Sequence, residues 1–384
     1  MTYQIDRAVM DSKQAHSFMS AALAAMVKRG GSDLFISAGF PPAIKLDGKM
    51  TKLSVETLDP PSTMALALSI MNERQRRDFE VHKAVNFAIS PNGVGRFRVN
   101  AFTQRGSASI VARKIPTDVP TIEGLNLPPI LKDLSMTKRG LIIFVGATGS
   151  GKSTSLAAMV DWRNSNSQGH IITIEDPIEF LHPHKNCIVN QREVGIDSEG
   201  WEDALKDTLR QAPDVILMGE IRDRETMDHA VAFAETGHLA LATLHANNAN
   251  QAIDRIINFF PQERHQQLLT DLSLNLRSVI SQRLVPLETG RGRAAAIEVL
   301  INTPLVSDKI LKGEIGELKE VMKKSREIGM QTFDQSLFDL FEQCKISLDD
   351  ALRNADSVND LRLSIRLQGK RASHELDSSS LKIV

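Results

Sequence analysis

The chain of 384 residues has only two cysteines, Cys187 and Cys344, too few for a disulfide framework. That pattern fits a reducing compartment, and the cytoplasm is the expected location. The chain also lacks net charge of either sign. Its formal balance is −1, so no global basic field argues for nucleic acid. No basic stretch is interleaved with aromatics, which make up 5% of the residues. No apolar run approaches the roughly 20 residues needed to span a bilayer. The opening stretch MTYQIDRAVMDSKQAHSF lacks the charged-then-apolar pattern of a signal peptide. A role at a membrane would therefore be played from its surface.

What is present is an ordinary globular balance, 42% hydrophobic and 24% charged. The length exceeds one ordinary core, so two domains are expected. Ala15 to Lys28 reads as an amphipathic helix with Met19, Leu23 and Met26 on one stripe. Asp47-Gly48, between AIKL and KMTKL, reads as a hairpin turn. A helix is expected around Pro61 to Glu80. The strands VNFAIS, GRFRVNAFTQ and SASIVARKI follow, separated by Asn92-Gly93 and Arg105-Gly106. Residues 1–115 thus read as a small α+β domain. Residues 116–137, richest in turn formers from Pro116 to Pro129, read as a linker.

Over residues 138–366 apolar strands alternate with helical stretches: LIIFVGA, HIITIED, DVILMGE, LALATLHA and AAAIEVL. The alternation implies an α/β domain, a parallel sheet with helices on both faces. QQLLTDLSLNLRSVISQRLV reads as one amphipathic helix carrying Leu268, Leu272, Leu276 and Val279. Residues 367–384, polar and serine-rich, are expected to be disordered.

The most specific motif is FVGATGSGKST. Gly146, Ala147, Thr148, Gly149, Ser150, Gly151, Lys152, Ser153 and Thr154 form a complete P-loop between an apolar strand and a helix. Its glycines let backbone N–H groups wrap phosphates, and the helix N-terminus adds its dipole. Lys152 is expected to reach the β- and γ-phosphates of ATP, and Ser153 to ligate Mg²⁺. The strand DVILMGE ends at Gly219-Glu220, where a Walker B carboxylate belongs. The common pattern has Asp-Glu there. Gly219 replaces the Asp, so Glu220 serves alone, partly through water on Mg²⁺, or a base comes from elsewhere. TIEDPIEF offers Glu175, Asp176 and Glu179 at the end of another strand. Glu175, nearest the strand end, is the stronger candidate for orienting the attacking water, while Glu179 is open to reading as a solvated turn.

The ordered set GATGSGKST, TIEDPIEF, APDVILMGEIRDRETM and ETGHLALATLHANNA resembles the type II/IV secretion and pilus ATPase superfamily. The first domain, with GGSDLFISAGFPPAIKLDGKM and GRFRVNAF, is similar to that of its retraction ATPases, the PilT/PilU family. The resemblance covers almost the whole chain. It implies a PAS-like N-terminal domain, a RecA-like ATPase domain and a homo-hexameric motor hydrolysing ATP with Mg²⁺. Extension ATPases of the superfamily usually carry a tetracysteine zinc module and a long extra N-terminal region, which two distant cysteines and this length do not accommodate. PilT members usually carry Ala-Ile-Arg-Asn-Leu-Ile-Arg-Glu after the last strand. Here that segment reads TPLVSDKILKGE, and RNADSVNDLRLSIRL is similar to the PilU branch. The implied role is support of type IV pilus retraction and twitching motility beside a PilT-type ATPase, acting on an inner-membrane platform protein from the cytoplasmic face.

The resemblance also implies arginines supplied to a neighbour's nucleotide from the first domain. Arg98 and Arg113 match that pattern best. Arg96 lies on the same strand face as Arg98, and Arg105 sits in a turn. In GHLALATLHANNA, His245 ends the strand nearest the expected γ-phosphate and is the candidate phosphate sensor, while His238 reads as a structural or subunit-boundary residue. LALATL is expected between the P-loop and Walker B strands. His182, His184 and Cys187 cluster, but lack the fourth ligand a structural zinc site needs. Two rivals stand beside the motor: a nucleic-acid translocase and a non-hydrolysing assembly subunit. DNA-stimulated, salt-sensitive turnover would mark the first, and absent turnover the second. The neutral charge argues against the first, and intact Lys152, Ser153, Glu175 and Glu220 against the second.

Overall fold

A computed structural model of the chain describes residues 10–371. The chain divides into two compact units, with the boundary between Pro116 and Thr117. In the first unit, helix α1 (Ser12–Lys28) starts at a capping box, in which the Asp11 carboxylate accepts from the Gln14 N–H at 2.8 Å. Its stripe of Ala15, Met19, Leu23 and Met26 is buried. The strands β1 (Asp33–Ile36), β2 (Ala43–Leu46), β3 (Lys49–Lys52), β4 (Ala84–Ile89), β5 (Arg96–Gln104) and β6 (Ser107–Ile115) form an antiparallel sheet in the order β3-β2-β1-β6-β5-β4. Phe97, Val99 and Ala101 alternate along β5 toward the core shared with α1. The opposite face carries Arg96 and Arg98, and Arg98 pairs directly across from Arg113 on β6.

The single helix expected from Pro61 to Glu80 is instead two, α2 (Pro60–Ser69) and α3 (Glu73–His82). Asn72 interrupts it. Its backbone is extended and its side chain accepts from the Gln75 N–H at 2.9 Å, a fresh helix start.

The second unit begins before the expected domain edge. Ile122, Leu127, Leu131 and Leu134, within the stretch read as a linker, are buried in its core, the last two on α4 (Ile130–Ser135). Seven strands follow: β7 (Gly140–Val145), β8 (Gly169–Glu175), β9 (Cys187–Glu193), β10 (Val215–Met218), β11 (Leu239–Leu244), β12 (Leu276–Pro286) and β13 (Arg293–Ile301), ordered β13-β12-β7-β11-β10-β8-β9. As expected, LALATL (β11) lies between the P-loop strand β7 and β10. Helices α5 (Lys152–Asn166) and α4 contribute to the core on one face of the sheet. Helices α6 (Trp201–Thr208), α7 (Arg224–Glu235), α8 (Ala249–Asn258) and α9 (His265–Asn275) contribute to the other.

Two expectations are corrected here. The long amphipathic helix stops at Asn275, and Leu276 onward is β12, parallel to β7 and antiparallel to β13. Val279 and Ile280 are both buried, so the strand is enclosed on both faces and shows no period-two alternation. The sheet is accordingly mixed, because AAAIEVL (β13) runs antiparallel at one edge.

The remaining helices are α10 (Pro304–Leu311), α11 (Leu318–Lys324), α12 (Phe333–Glu342), α13 (Leu348–Asn354) and α14 (Val358–Gln368). Phe333, Leu337, Phe341, Leu361 and Ile365 form a separate core with Val285 and Ala296 of the sheet. The expected disordered tail is ordered at its start. Arg371 pairs with Glu288 at 2.6 Å and donates to the Phe341 carbonyl. Residues 372–384 lie outside the described residues. No described helix is long and apolar enough to cross a membrane.

Candidate active site

The site is built where consecutive parallel strands end. Strand β7 leads into the P-loop, and Lys152 opens α5. Gly151 holds φ at +87°, and a Cβ on it would fall 2.7 Å from Gln282 Nε2. A Cβ on Gly146 would lie 2.5 Å from the Gln282 carbonyl oxygen. The Lys152 ammonium is buried and donates to the carbonyls of Gly146 at 2.7 Å and Ala147 at 3.0 Å. Burial pushes its pKa below the ordinary lysine value, while the Glu220 and Glu179 carboxylates push it back up.

Strands β11, β10 and β8 end beside this loop and deliver His245, Glu220 and Glu175. Together with Thr148, Gly149, Lys152 and Ser153 they line one cleft of about 200 Å³. Gly146, Ala147 and Ser150 line an adjoining hollow, and Gly151 and Thr154 a third. Glu220 is engaged at both oxygens, by His245 Nε2 at 3.2 Å and by Arg222 Nε at 2.9 Å. Arg222 also reaches Asp176 at 3.4 Å and lies over the Trp201 ring. The missing Walker B aspartate has a steric reason. A Cβ at Gly219 would stand 3.2 Å from the Ile174 carbonyl and 3.3 Å from both Glu175 Cα and the Trp201 ring, so a larger side chain needs that wall to move.

Glu175 Oε1 accepts from Thr173 Oγ1 at 2.6 Å and from Gln191 Nε2 at 3.1 Å. Desolvation raises its pKa above the ordinary carboxylate value, against those hydrogen bonds. A carboxylate tuned this way is a better proton acceptor than a solvated one. Glu179, left open by the sequence, also lines the cleft and is exposed.

His238 lies at the other end of β11. Its Nδ1 is 3.0 Å from Thr236 Oγ1 and 3.2 Å from the Phe233 carbonyl, which ties it to the end of α7. His184 Nδ1 accepts from the Val189 N–H, and the buried Cys187 thiol donates to the Ser167 carbonyl at 3.3 Å. His182 joins the nucleotide cleft instead, its imidazole pushed down to about 4 by burial. Arg98 and Arg113 belong to the first unit. Arg113, exposed at its tip, donates to buried Asp33 at 2.6 Å.

Three functional candidates escape sequence reasoning. Gln191 and Gln282 meet partners distant in sequence, and Arg222 joins Glu220 beside it to the distant Asp176. Arg222 had one available signal, its place two residues after Glu220.

Comparison with known proteins agrees with this geometry. The family model "Type II/IV secretion system protein" matches residues 11–333. The "Type IV pilus ATPase PilU" of Pseudomonas aeruginosa is 61% identical over 353 residues, covering 92% of each chain. The "Type IV pilus retractation ATPase PilT" of the same organism is 44% identical, covering 87% of this chain and 96% of that one. A crystal structure of the pilus retraction motor PilT with bound ADP superposes with a TM-score of 0.83 at 41% identity, covering 91% of this chain and 98% of that one. A P-loop, two strand-end carboxylates and a histidine meeting in one cleft, on a chain this similar over nine-tenths of its length, mean that it belongs to the type II/IV secretion system protein family, among the ATPases of its PilT/PilU group.

Proposed function

We propose that this chain is a motor subunit that hydrolyses ATP to support type IV pilus retraction and twitching motility, as a PilU-type partner of a PilT-type ATPase. The observation that carries the chemistry is the convergence of Lys152, Ser153, Glu175, Glu220 and His245 on one cleft. The P-loop N–H groups and Lys152 bind the phosphates and offset their charge. Ser153 and, through water, Glu220 would hold Mg²⁺, which would supply charge neutralisation to the phosphates. Glu175 orients a water and takes its proton as the water oxygen bonds to the γ-phosphorus. The bond from that phosphorus to the β–γ bridging oxygen breaks, and ADP leaves with the electron pair. His245, on Glu220 at 3.2 Å, is positioned to register the γ-phosphate through that carboxylate.

The working form in this reading is a homo-hexamer at the cytoplasmic face of the inner membrane, pulling on a pilus platform protein. Nucleic acid is not a partner. Arg98 and Arg113 serve the nucleotide of a neighbouring subunit. Their direct cross-strand pairing supports this, because it places both arginines on one sheet face. Alanine at either is expected to leave ATP binding within about threefold and to cut turnover by one to three orders of magnitude, the scale of transition-state charge stabilisation. Full turnover in both variants removes the arginines from the mechanism.

Cell-level assignment is tested by deleting this gene and, separately, the PilT-type gene, then scoring pilus number and twitching. Loss of PilT is expected to stop retraction even with this chain intact. Retraction persisting without PilT overturns the partner role.

A further inference from the structure

Behind the phosphate loop lies a side chain that none of the nucleotide motifs contains. Gln282 is 2% exposed and follows Ser281, which pairs with Val145 at the end of β7. That register sets Gln282 beside Gly146, the first residue of the P-loop. Its amide is used at both ends. Nε2 donates to the Ser150 carbonyl at 2.9 Å, and Oε1 accepts from Ser155 Oγ at 2.7 Å. Ser150 belongs to the loop, and Ser155 to the first turn of α5. One planar amide therefore spans from the anion loop to the helix that follows it.

This contact bears on nucleotide binding through peptide geometry. In a trans peptide, the carbonyl of one residue and the N–H of the next point in opposite directions. Holding the Ser150 carbonyl from behind aims the Gly151 N–H away from Gln282. A P-loop binds phosphate with such backbone donors, and each is worth most when its direction is set beforehand. Gly146 and Gly151 permit the arrangement, because a Cβ on either would stand 2.5 Å or 2.7 Å from a Gln282 atom. The next residue extends the same strand end to a second loop. Arg283 donates to the carbonyl of Asn247, two residues after His245, at 3.1 Å and pairs with Asp356 at 2.6 Å.

We infer that Gln282 is a positioning residue for the bound nucleotide, acting through the Ser150–Gly151 peptide. The inference rests on the reading of residues 146–154 as the nucleotide loop. Gln282→Leu removes both hydrogen bonds at similar size. Gln282→Glu keeps an acceptor for Ser155 and sets a carboxylate against the Ser150 carbonyl.

The full-length protein is titrated with a fluorescent ATP analogue and Mg²⁺, and steady-state turnover and melting temperature are measured alongside. Affinity is expected to fall about tenfold in Gln282→Leu, the scale of one net hydrogen bond, and further in Gln282→Glu. KM should rise with it while kcat changes less. The nucleotide-induced rise in melting temperature should shrink in proportion to the lost affinity. A purely structural role lowers the melting temperature of the free protein and leaves affinity and KM alone.

Ser155→Ala, which frees one end of the amide and keeps the Ser150 bond, is expected to cost two- to threefold. It should add nothing when combined with Gln282→Leu. This milder change covers the case in which Gln282→Leu folds poorly. Affinities within twofold of the parent in Gln282→Glu and Ser155→Ala overturn the role. Lys152→Ala, measured in parallel, separates the two layers. Binding unchanged there overturns the P-loop reading itself, whereas binding lost there but intact in the Gln282 and Ser155 variants overturns the Gln282 role alone.

Discussion

Replacing Lys152 by alanine is expected to abolish detectable ATP binding and to lower turnover by about a hundred- to a thousandfold or more, the scale of losing a preorganised charge donor. The ammonium is buried and held between the Gly146 and Ala147 carbonyls at 2.7 and 3.0 Å. The loop has thus already ordered a long, flexible side chain, and little further entropy is lost when phosphate oxygens arrive. The change should not unfold the protein. Burial pushes the lysine below its ordinary pKa, so the charged form is disfavoured in the folded chain and alanine relieves that cost. Calorimetric titration with ATP and Mg²⁺, with melting curves of the free protein, checks both halves. Turnover within tenfold of the parent would remove Lys152 from the mechanism.

The second large effect separates the two carboxylates. Glu175→Gln and Glu220→Gln are each expected to cut kcat on the order of 10²–10⁴-fold, the range for loss of a positioned base or charge partner. Their signatures differ. Glu220 lines the cleft with Ser153 and is tied to His245 and Arg222, so its amide variant should need more Mg²⁺ for half-maximal turnover. Glu175 has no such tie, and its variant should keep the parent's Mg²⁺ dependence.

Glu175 also carries a stability signature. Its folded pKa is raised by desolvation, so its stabilising contribution is present below the ordinary carboxylate range and is lost as pH rises through the raised value. At pH 7.5 the glutamine variant should therefore melt higher than the parent, while at acidic pH the two converge. The amide oxygen can still accept from Thr173 and Gln191. A Glu175→Gln protein that is fully active, or that melts lower at pH 7.5, contradicts this role.

Much of the fold is legible in the sequence alone. The P-loop was readable because its specificity comes from glycine backbone and one lysine in a contiguous run between a strand and a helix. The hairpin at Asp47-Gly48 was readable for the same reason. Both residues take positive φ, at 48° and 79°, and the residue types announce it. Sequence and structure differ where the local pattern is ambiguous or outweighed. Leu276 and Val279 have helical spacing, yet β12 forms because its backbone bonds are completed on both sides by β7 and β13. Ile122 and Leu127 lie among turn residues that read as a linker, yet both are buried in the core of the second unit.

By itself, the sequence determined which chemistry this protein carries: a phosphate-binding loop, strand-end carboxylates and a histidine, in an order shared with the secretion ATPases. Those signals are local, and each is written in a few adjacent residues. Only the tertiary structure decided how the groups meet. Glu220 is bound by His245 and Arg222, Glu175 is desolvated against Thr173 and Gln191, and the phosphate loop is braced by Gln282. The strand order sets those neighbours, and it follows from which buried faces and backbone groups find partners across the sheet. No stretch of a few residues encodes that.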